Sequence, residues 1–340
     1  MEERVVYADA LRVFSIFFVI MVHIIFMIWS DISIWYRPIK IILFYGGIAR
    51  PCVPLFVMVS GMFFLDPQKS YSKEHLKKHI IRITKIFVFW SAFYVIFSFA
   101  KRGNFDITIK TLYSFLNGYY HLWFLFMLIG LYLITPILRI IVKHGDEKLI
   151  KYFLLLSFIV ALLVPTITII PQFSPLRKYI SKFYLYIPAG FTFYYLIGYH
   201  LKSRPQKRTR LIYCLGLVGA VITILGTYYC SKFTGTLKEF YYGYLTVNVA
   251  FMAIAIFVFF KNHANYFDKF KKIICRLSKL TLGVYLIHPC IIEILEKCGL
   301  TALRYPAIIS IPLNTLLVFI ISMLLSYFIS KIPFIRQFIL

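Results

Sequence analysis

Acidic residues are scarce in this chain: 13 Asp and Glu stand against 38 Lys and Arg, and the charged types together make up only 15% of 340 residues. A soluble domain is nearer one-quarter charged and breaks its apolar runs within a dozen residues. The shortage argues against a soluble fold. Cysteine carries no metal or redox signature either. Cys52, Cys214, Cys230, Cys275, Cys290 and Cys298 form no CxxC pair and show neither zinc nor disulfide-framework spacing. No metal is expected. No period of 20–50 residues repeats, and no low-complexity segment is present. No cleavable leader is expected either. Arg12 interrupts the first apolar run and no small-residue cleavage site follows, so residue 1 is expected in the mature protein.

What the chain has instead is hydrophobicity: 61% apolar residues and a mean hydropathy of +0.80. Its apolar runs repeatedly reach the roughly 20 residues that cross a bilayer. Spans are expected near 6–30, 40–65, 83–100, 118–141, 149–171, 183–201, 210–230, 241–260, 279–297 and 306–330. The prediction is an all-α integral membrane protein, a bundle of about ten transmembrane helices forming one domain over residues 1–340. A net charge of +25 would suggest nucleic acid in a soluble protein. Here the bases gather in short clusters between apolar runs, which fits loops beside anionic lipid and no nucleic acid. With alternate loops placed inside, 25 of the 38 bases fall on one side, from Arg4 and Arg12 through Lys331 and Arg336. That asymmetry predicts both termini in the cytoplasm. Aromatic pairs such as Tyr119-Tyr120 and Tyr241-Tyr242 lie near span ends and read as interfacial belts.

Ionisable residues inside spans cost several kcal/mol unless paired or facing a cavity, so each is a site candidate. In span 1, eleven residues separate Arg12 from His23. At 100° per residue they share one stripe, about 16 Å apart along the axis. Asp9, one turn before Arg12, can neutralise it. Span 2 holds Arg50-Pro51-Cys52-Val53-Pro54-Leu55-Phe56 and Ser60-Gly61. Its prolines loosen the backbone, and Arg50 lies too deep for easy snorkelling. Arg50 could cap freed carbonyls or serve a site, and Ser60-Gly61 reads first as a small-residue helix contact. Span 4 opens Tyr119-Tyr120-His121-Leu122-Trp123-Phe124, with His121 at a depth comparable to His23. Span 9 carries Tyr285-Leu286-Ile287-His288-Pro289, with Glu293 further out. Singly, each histidine could be a packing residue, an interfacial anchor or a donor to a neighbouring carbonyl. Three of them, with a deep arginine and the Arg12/His23 stripe, describe a polar cavity suited to proton or group transfer.

These residues resemble the acyltransferase 3 family of membrane acyltransferases. The likeness spans most of the chain: Arg12 and His23; Arg50 with Val53-Pro54-Leu55-Phe56 and Ser60-Gly61; Arg82; Tyr120-His121-Leu122-Trp123-Phe124; Tyr195-Leu196-Ile197-Gly198; and Gly283-Val284-Tyr285-Leu286-Ile287-His288-Pro289. The His-Leu-Trp-Phe form is similar to the short branch that modifies surface polysaccharides, such as enterobacterial common antigen O-acetyltransferases. The family's Arg-x-x-Arg and proline appear here as His79-Ile-Ile-Arg82 without proline, so only Arg82 carries over. No esterase-like segment is appended, from which transfer within the membrane domain is expected.

The resemblance implies an acyl-CoA donor, usually acetyl-CoA, and a hydroxyl acceptor on a surface glycan or lipid-linked sugar. The setting is then a cytoplasmic membrane, multi-pass and bacterial. Arg12, Lys78, Arg82 and Lys85 would hold CoA phosphates at the cytoplasmic mouth. His23 would act as general base or acyl carrier and Arg50 would stabilise the oxyanion. His121 and His288 would orient the acceptor or relay protons. The competing function is a secondary transporter or flippase for a lipid-linked sugar, which also uses broken helices and buried charges. Such transporters show two related halves, and no such symmetry is visible.

Overall fold

The computed structural model describes residues 4–338 apart from 70, 71, 104, 106, 184 and 186–189. Every regular element among the described residues is helical. The first group is α1 (Val6–Ile28), α2 (Ile39–Ala49), α3 (Cys52–Phe64), α4 (Lys73–Arg102) and the short α5 (Ile109–Asn117). Next come α6 (Trp123–His144), α7 (Glu147–Ser157), a π-helical turn, α8 (Val164–Ile167), α9 (Ser174–Ser181) and α10 (Thr192–Ser203). After α11 (Thr209–Val221), a second π-helical turn leads into α12 (Thr227–Thr234). The chain ends with α13 (Val247–Asn262), α14 (Ala264–Asp268), α15 (Lys271–Lys297), α16 (Ala307–Ile329) and α17 (Pro333–Arg336).

Nine segments among the described residues are long and apolar enough to cross a membrane; α2 with α3, α7 with α8, and α11 with α12 each count as one. The remaining expected span, 183–201, falls partly on residues 184 and 186–189, outside the described ones. Most of its described part lies in α10, which is 12 residues long. The segment 66–82, read from the sequence as a loop, is helical from Lys73 onward. Ser72 caps that helix by accepting from the His75 N–H at 3.1 Å, and Glu74 suits the positive end of its dipole. Lys78 and Arg82 therefore ride on α4.

Between lipid tails and leucines there is no hydrophobic preference, so close packing and buried hydrogen bonds select the helix contacts. Helix α1 is central and packs on α2, α3, α13, α15 and α16. Helices α3 and α10 approach backbone to backbone. A Cβ on Gly61 would overlap the Tyr195 carbonyl, and one on Gly198 would overlap that of Met58. The small-residue reading of Ser60-Gly61 holds. Elsewhere Asn248 donates to Thr223 Oγ1 at 2.8 Å and to the Tyr241 carbonyl at 2.7 Å, tying α13 to the α11–α12 span.

One end of the bundle is basic, and its cations serve the helix C-termini gathered there. Arg139 donates to the carbonyls of Phe64, Asp66 and Lys69 at 2.7, 2.8 and 2.7 Å. Lys261 donates to those of Leu201, Lys202 and Arg204 at 2.5, 3.0 and 2.7 Å. Last-turn carbonyls lack intrahelical partners and carry the negative end of the dipole, so a cation there satisfies both deficits. Lys202 also pairs with Asp66 at 2.5 Å. The starts of α1, α4 and α15 lie at the same end, since Arg4 donates to the Cys275 carbonyl and His79 packs on Phe64. This juxtaposition of ends matches the alternation inferred from the loop charges.

Candidate active site

Helix α1 presents Arg12 and His23 to a single cavity of about 860 Å³. The shared stripe expected from their spacing is therefore real. Asp9 is the hub at the Arg12 end. It pairs with Arg4 at 2.5 Å and with Arg12 at 3.2 Å, and it accepts from Ser278 Oγ at 2.6 Å. Arg12 uses one nitrogen for this pair, lies over the Phe63 ring at 5.2 Å, and lines the cavity.

At the other end three histidines converge, His23 from α1, His288 from α15 and His121 from the turn that precedes α6. The ring centroids are 5.0 Å apart for His23 and His288, 5.6 Å for His121 and His288, and 6.5 Å for His23 and His121. His121 and His288 are buried, whereas His23 is half-buried. His23 and His121 line the cavity, and His288 stands against both.

The His288-Pro289 dipeptide explains the third ring. Pro289 has no N–H for the carbonyl of Tyr285, four residues earlier on α15. His288 Nδ1 makes up the deficit, donating to Tyr285 O at 2.8 Å and Val284 O at 3.1 Å. A carbonyl can only accept, so the proton is on Nδ1 and Nε2 keeps a lone pair. That Nε2 is buried and has no partner. Neither has His23 Nδ1, nor either nitrogen of His121, nor the Tyr120 hydroxyl. Buried polar groups are nearly always hydrogen-bonded, so a cluster of open ones marks a place for a ligand.

Tyrosines wall the cluster. Tyr285 donates to the His121 backbone carbonyl, and its ring centroid is 5.2 Å from that of His121. Tyr120 lies 5.2 Å from His23. Tyr119 stacks on Tyr94 at 4.3 Å and bonds Glu293, which also pairs with Lys101 at 2.8 Å. Tyr119-Tyr120 is thus part of the site's wall. The Gly118 turn, at φ 72°, brings these rings against α1, α4 and α15.

Arg50 shares with the histidines a buried nitrogen, Nε, that has no partner, but it does not line the cavity. Its helix breaks at Arg50-Pro51 between α2 and α3, yet it does not cap freed carbonyls. Its guanidinium lies 4.4 Å over the Tyr242 ring and 5.9 Å from that of Tyr244. It pairs loosely with Glu239 at 3.9 Å. Leu43 O, in the last turns of α2, is taken by the Tyr242 hydroxyl at 2.5 Å. Tyr244 lines the cavity and separates Arg50 from it. Lys78, Arg82 and Lys85 are exposed on α4 and are not among the cavity's lining residues.

Several wall residues were not predicted as site residues: Tyr244, Thr281 and Tyr285 line the cavity, and Ser60 does so with its hydroxyl bonded to Phe56 O at 2.9 Å. Tyr285 was within reach, one turn before His288 in the same motif. Tyr244 lies in a loop between α12 and α13 and had no local signal. Among the described residues, no three His, Cys, Asp or Glu side chains are disposed to hold a metal ion.

The family model described as an acyltransferase domain matches residues 5–331. No curated protein and no solved structure matches the chain.

Proposed function

Because the chain belongs to the acyltransferase 3 family, we propose that this membrane acyltransferase moves an acetyl group from cytoplasmic acetyl-CoA to a hydroxyl of a surface glycan or lipid-linked sugar. One observation carries the reading: a single cavity joins Arg12 to His23, beside which His121 and His288 converge. Along α1 that is about 16 Å, comparable to an extended pantetheine arm. Phosphates held at the Arg12 end would bring the thioester to the imidazoles. Lys78, Arg82 and Lys85, on the same end of the molecule, would hold the remaining phosphates outside the cavity. The basic end then faces the cytoplasm of a bacterial cell.

His23 is the general base in this mechanism. It takes the acceptor's hydroxyl proton as the oxygen attacks the thioester carbon, the C–S bond breaks, and the proton passes to the CoA sulfur. His288, fixed with an acceptor at Nε2, orients the His23 ring from behind; such contacts tighten in the substrate complex. His121, with both nitrogens open, positions the acceptor hydroxyl. Arg50 contributes positive charge through the Tyr244 wall, where the oxyanion forms.

The test is to give purified protein labelled acetyl-CoA together with cell-envelope glycolipids and locate the label. Ester-linked label on a glycolipid is the expected result. Movement of an unlabelled lipid-linked sugar across vesicles, with no transfer of label, would replace the reading by a flippase.

A further inference from the structure

Across α15 from the residues that line the active-site cavity lies a second concavity, a groove of about 1050 Å³ between α15 and α16. Thr281, Leu282 and Tyr285 of α15 face the active-site cavity. Leu277 and Leu280 face this groove, where Met323, Leu324 and Tyr327 of α16 complete an apolar floor. Its rim carries Arg276, Lys279, Lys331 and Arg336, all exposed. Lys331 lies 5.0 Å over the Tyr327 ring. No acid stands nearby in sequence: there is no Asp or Glu between 269 and 292, nor after Glu296. The groove therefore gathers four like charges above a hydrocarbon floor, at the basic end of the bundle.

We propose that this groove binds one anionic phospholipid of the adjoining leaflet. The headgroup phosphate sits among Arg276, Lys279, Lys331 and Arg336, and an acyl chain runs along Leu280, Met323 and Leu324. Charge complementarity selects the occupant. Four clustered cations with no Asp or Glu among the described residues lining the groove call for an anion, and guanidinium with ammonium groups suits a phosphodiester. A free nucleotide has no use for the apolar floor, and a neutral lipid has none for the cations. Basic pockets between transmembrane helices bind anionic headgroups in this way.

The proposal does not rest on acyl transfer, and its readouts do not use it. Photoactivatable phosphatidylglycerol in phosphatidylcholine nanodiscs with the full-length, unsubstituted protein should crosslink to residues 276–280 and 323–336. Crosslinks spread evenly over the lipid-facing helices would overturn the site. In mixed micelles, the combined Arg276→Gln, Lys279→Gln, Lys331→Gln, Arg336→Gln variant should bind phosphatidylglycerol at least about tenfold more weakly, each cation being worth about fivefold. A control neutralising Lys143, Lys148, Lys207 and Arg208 should change binding less than about threefold. An equal loss in the control would reduce the effect to overall charge and sink the proposal. Displacement of the lipid by CoA would assign the cations to the acyl donor and sink it too. Should the fourfold variant fail to fold, the crosslinking result decides alone.

Discussion

Two polar regions sit inside this bundle and are built on opposite principles. At the basic end, Asp9 is held by Arg4, Arg12 and Ser278, Arg139 and Lys261 each serve three carbonyls at helix ends, and Lys202 pairs with Asp66. Around His23 the reverse holds, with imidazole nitrogens and a phenol buried and open. An unsatisfied buried group costs about 1–3 kcal/mol, so a cluster of them survives only where something else needs it. The contacts of Asp9, Arg139, Lys202 and Lys261 are architecture, finished when the chain folds. On the proposed function, the histidine pocket is finished only by a substrate. Substitutions should therefore divide cleanly, changing activity without stability in one region and stability without chemistry in the other.

The largest effect should come from His23. A glutamine there keeps size and polarity but cannot accept a proton near pH 7. His23→Gln and His23→Ala should insert, fold and bind acyl-CoA, with turnover per folded molecule reduced at least about 10²-fold. Because His23 Nδ1 has no partner to lose, the melting temperature should change little. Near-normal turnover in His23→Gln would transfer the base role to His121 or His288 and break the division.

How much of this was legible beforehand follows the same division. The histidine pocket was readable residue by residue because a buried charge or imidazole is conspicuous in an apolar run. His23, His121 and His288 each announced themselves, and helical periodicity alone put Arg12 and His23 on one face. Their meeting point was not readable, since it depends on how α1, α15 and the Gly118 turn pack. Arg50 shows the limit. Its depth was evident, but its seating on Tyr242 required a loop some 190 residues away in sequence. The basic end was readable only as charge: the sign of the loops told which ends gather together, and nothing local announced that Arg139 would serve three carbonyls of the α3 terminus. The helical extension of α4 was missed because its first turns are polar, although Ser72 and Glu74 are start signals.

Arg12 belongs to both regions and so sharpens the comparison. Removing it leaves Asp9 with Arg4 at 2.5 Å and Ser278 at 2.6 Å, so the fold should persist. Arg12→Ala should weaken acyl-CoA binding by about 1.5–3 kcal/mol, the worth of a charge-assisted contact, measured by equilibrium binding. Asp9→Asn with Arg12→Ala separates the two causes: equal affinity in both variants assigns the loss to the guanidinium. Unchanged affinity in Arg12→Ala would remove it from the donor site. Gly61→Ala should do the opposite. Its Cβ overlaps the Tyr195 carbonyl, so α3 and α10 must separate, at a cost of about 1–3 kcal/mol. Thermal unfolding should detect that loss while turnover per folded molecule stays near wild type.

The smallest effect tests whether the basic end is electrostatic at all. Burial alone would push the Asp66 carboxyl up, but the hydrogen bond from Lys202 and that from the Gln68 N–H outweigh it and hold it below the usual carboxylate range. A carboxyl depressed on folding stabilises the native state above its unfolded value, about 3.9, and loses that contribution as pH falls through the lower folded value. Asp66→Asn removes the charge at every pH. The stability gap between wild type and Asp66→Asn should thus be present at pH 7, at most about 1 kcal/mol for a partly exposed pair. It should persist down to roughly pH 4 and close below it. Melting curves across that range measure it directly. A gap that stayed constant to the acid end would assign the contribution of Asp66 to hydrogen-bond geometry and leave its charge without a part in joining α3 to α10.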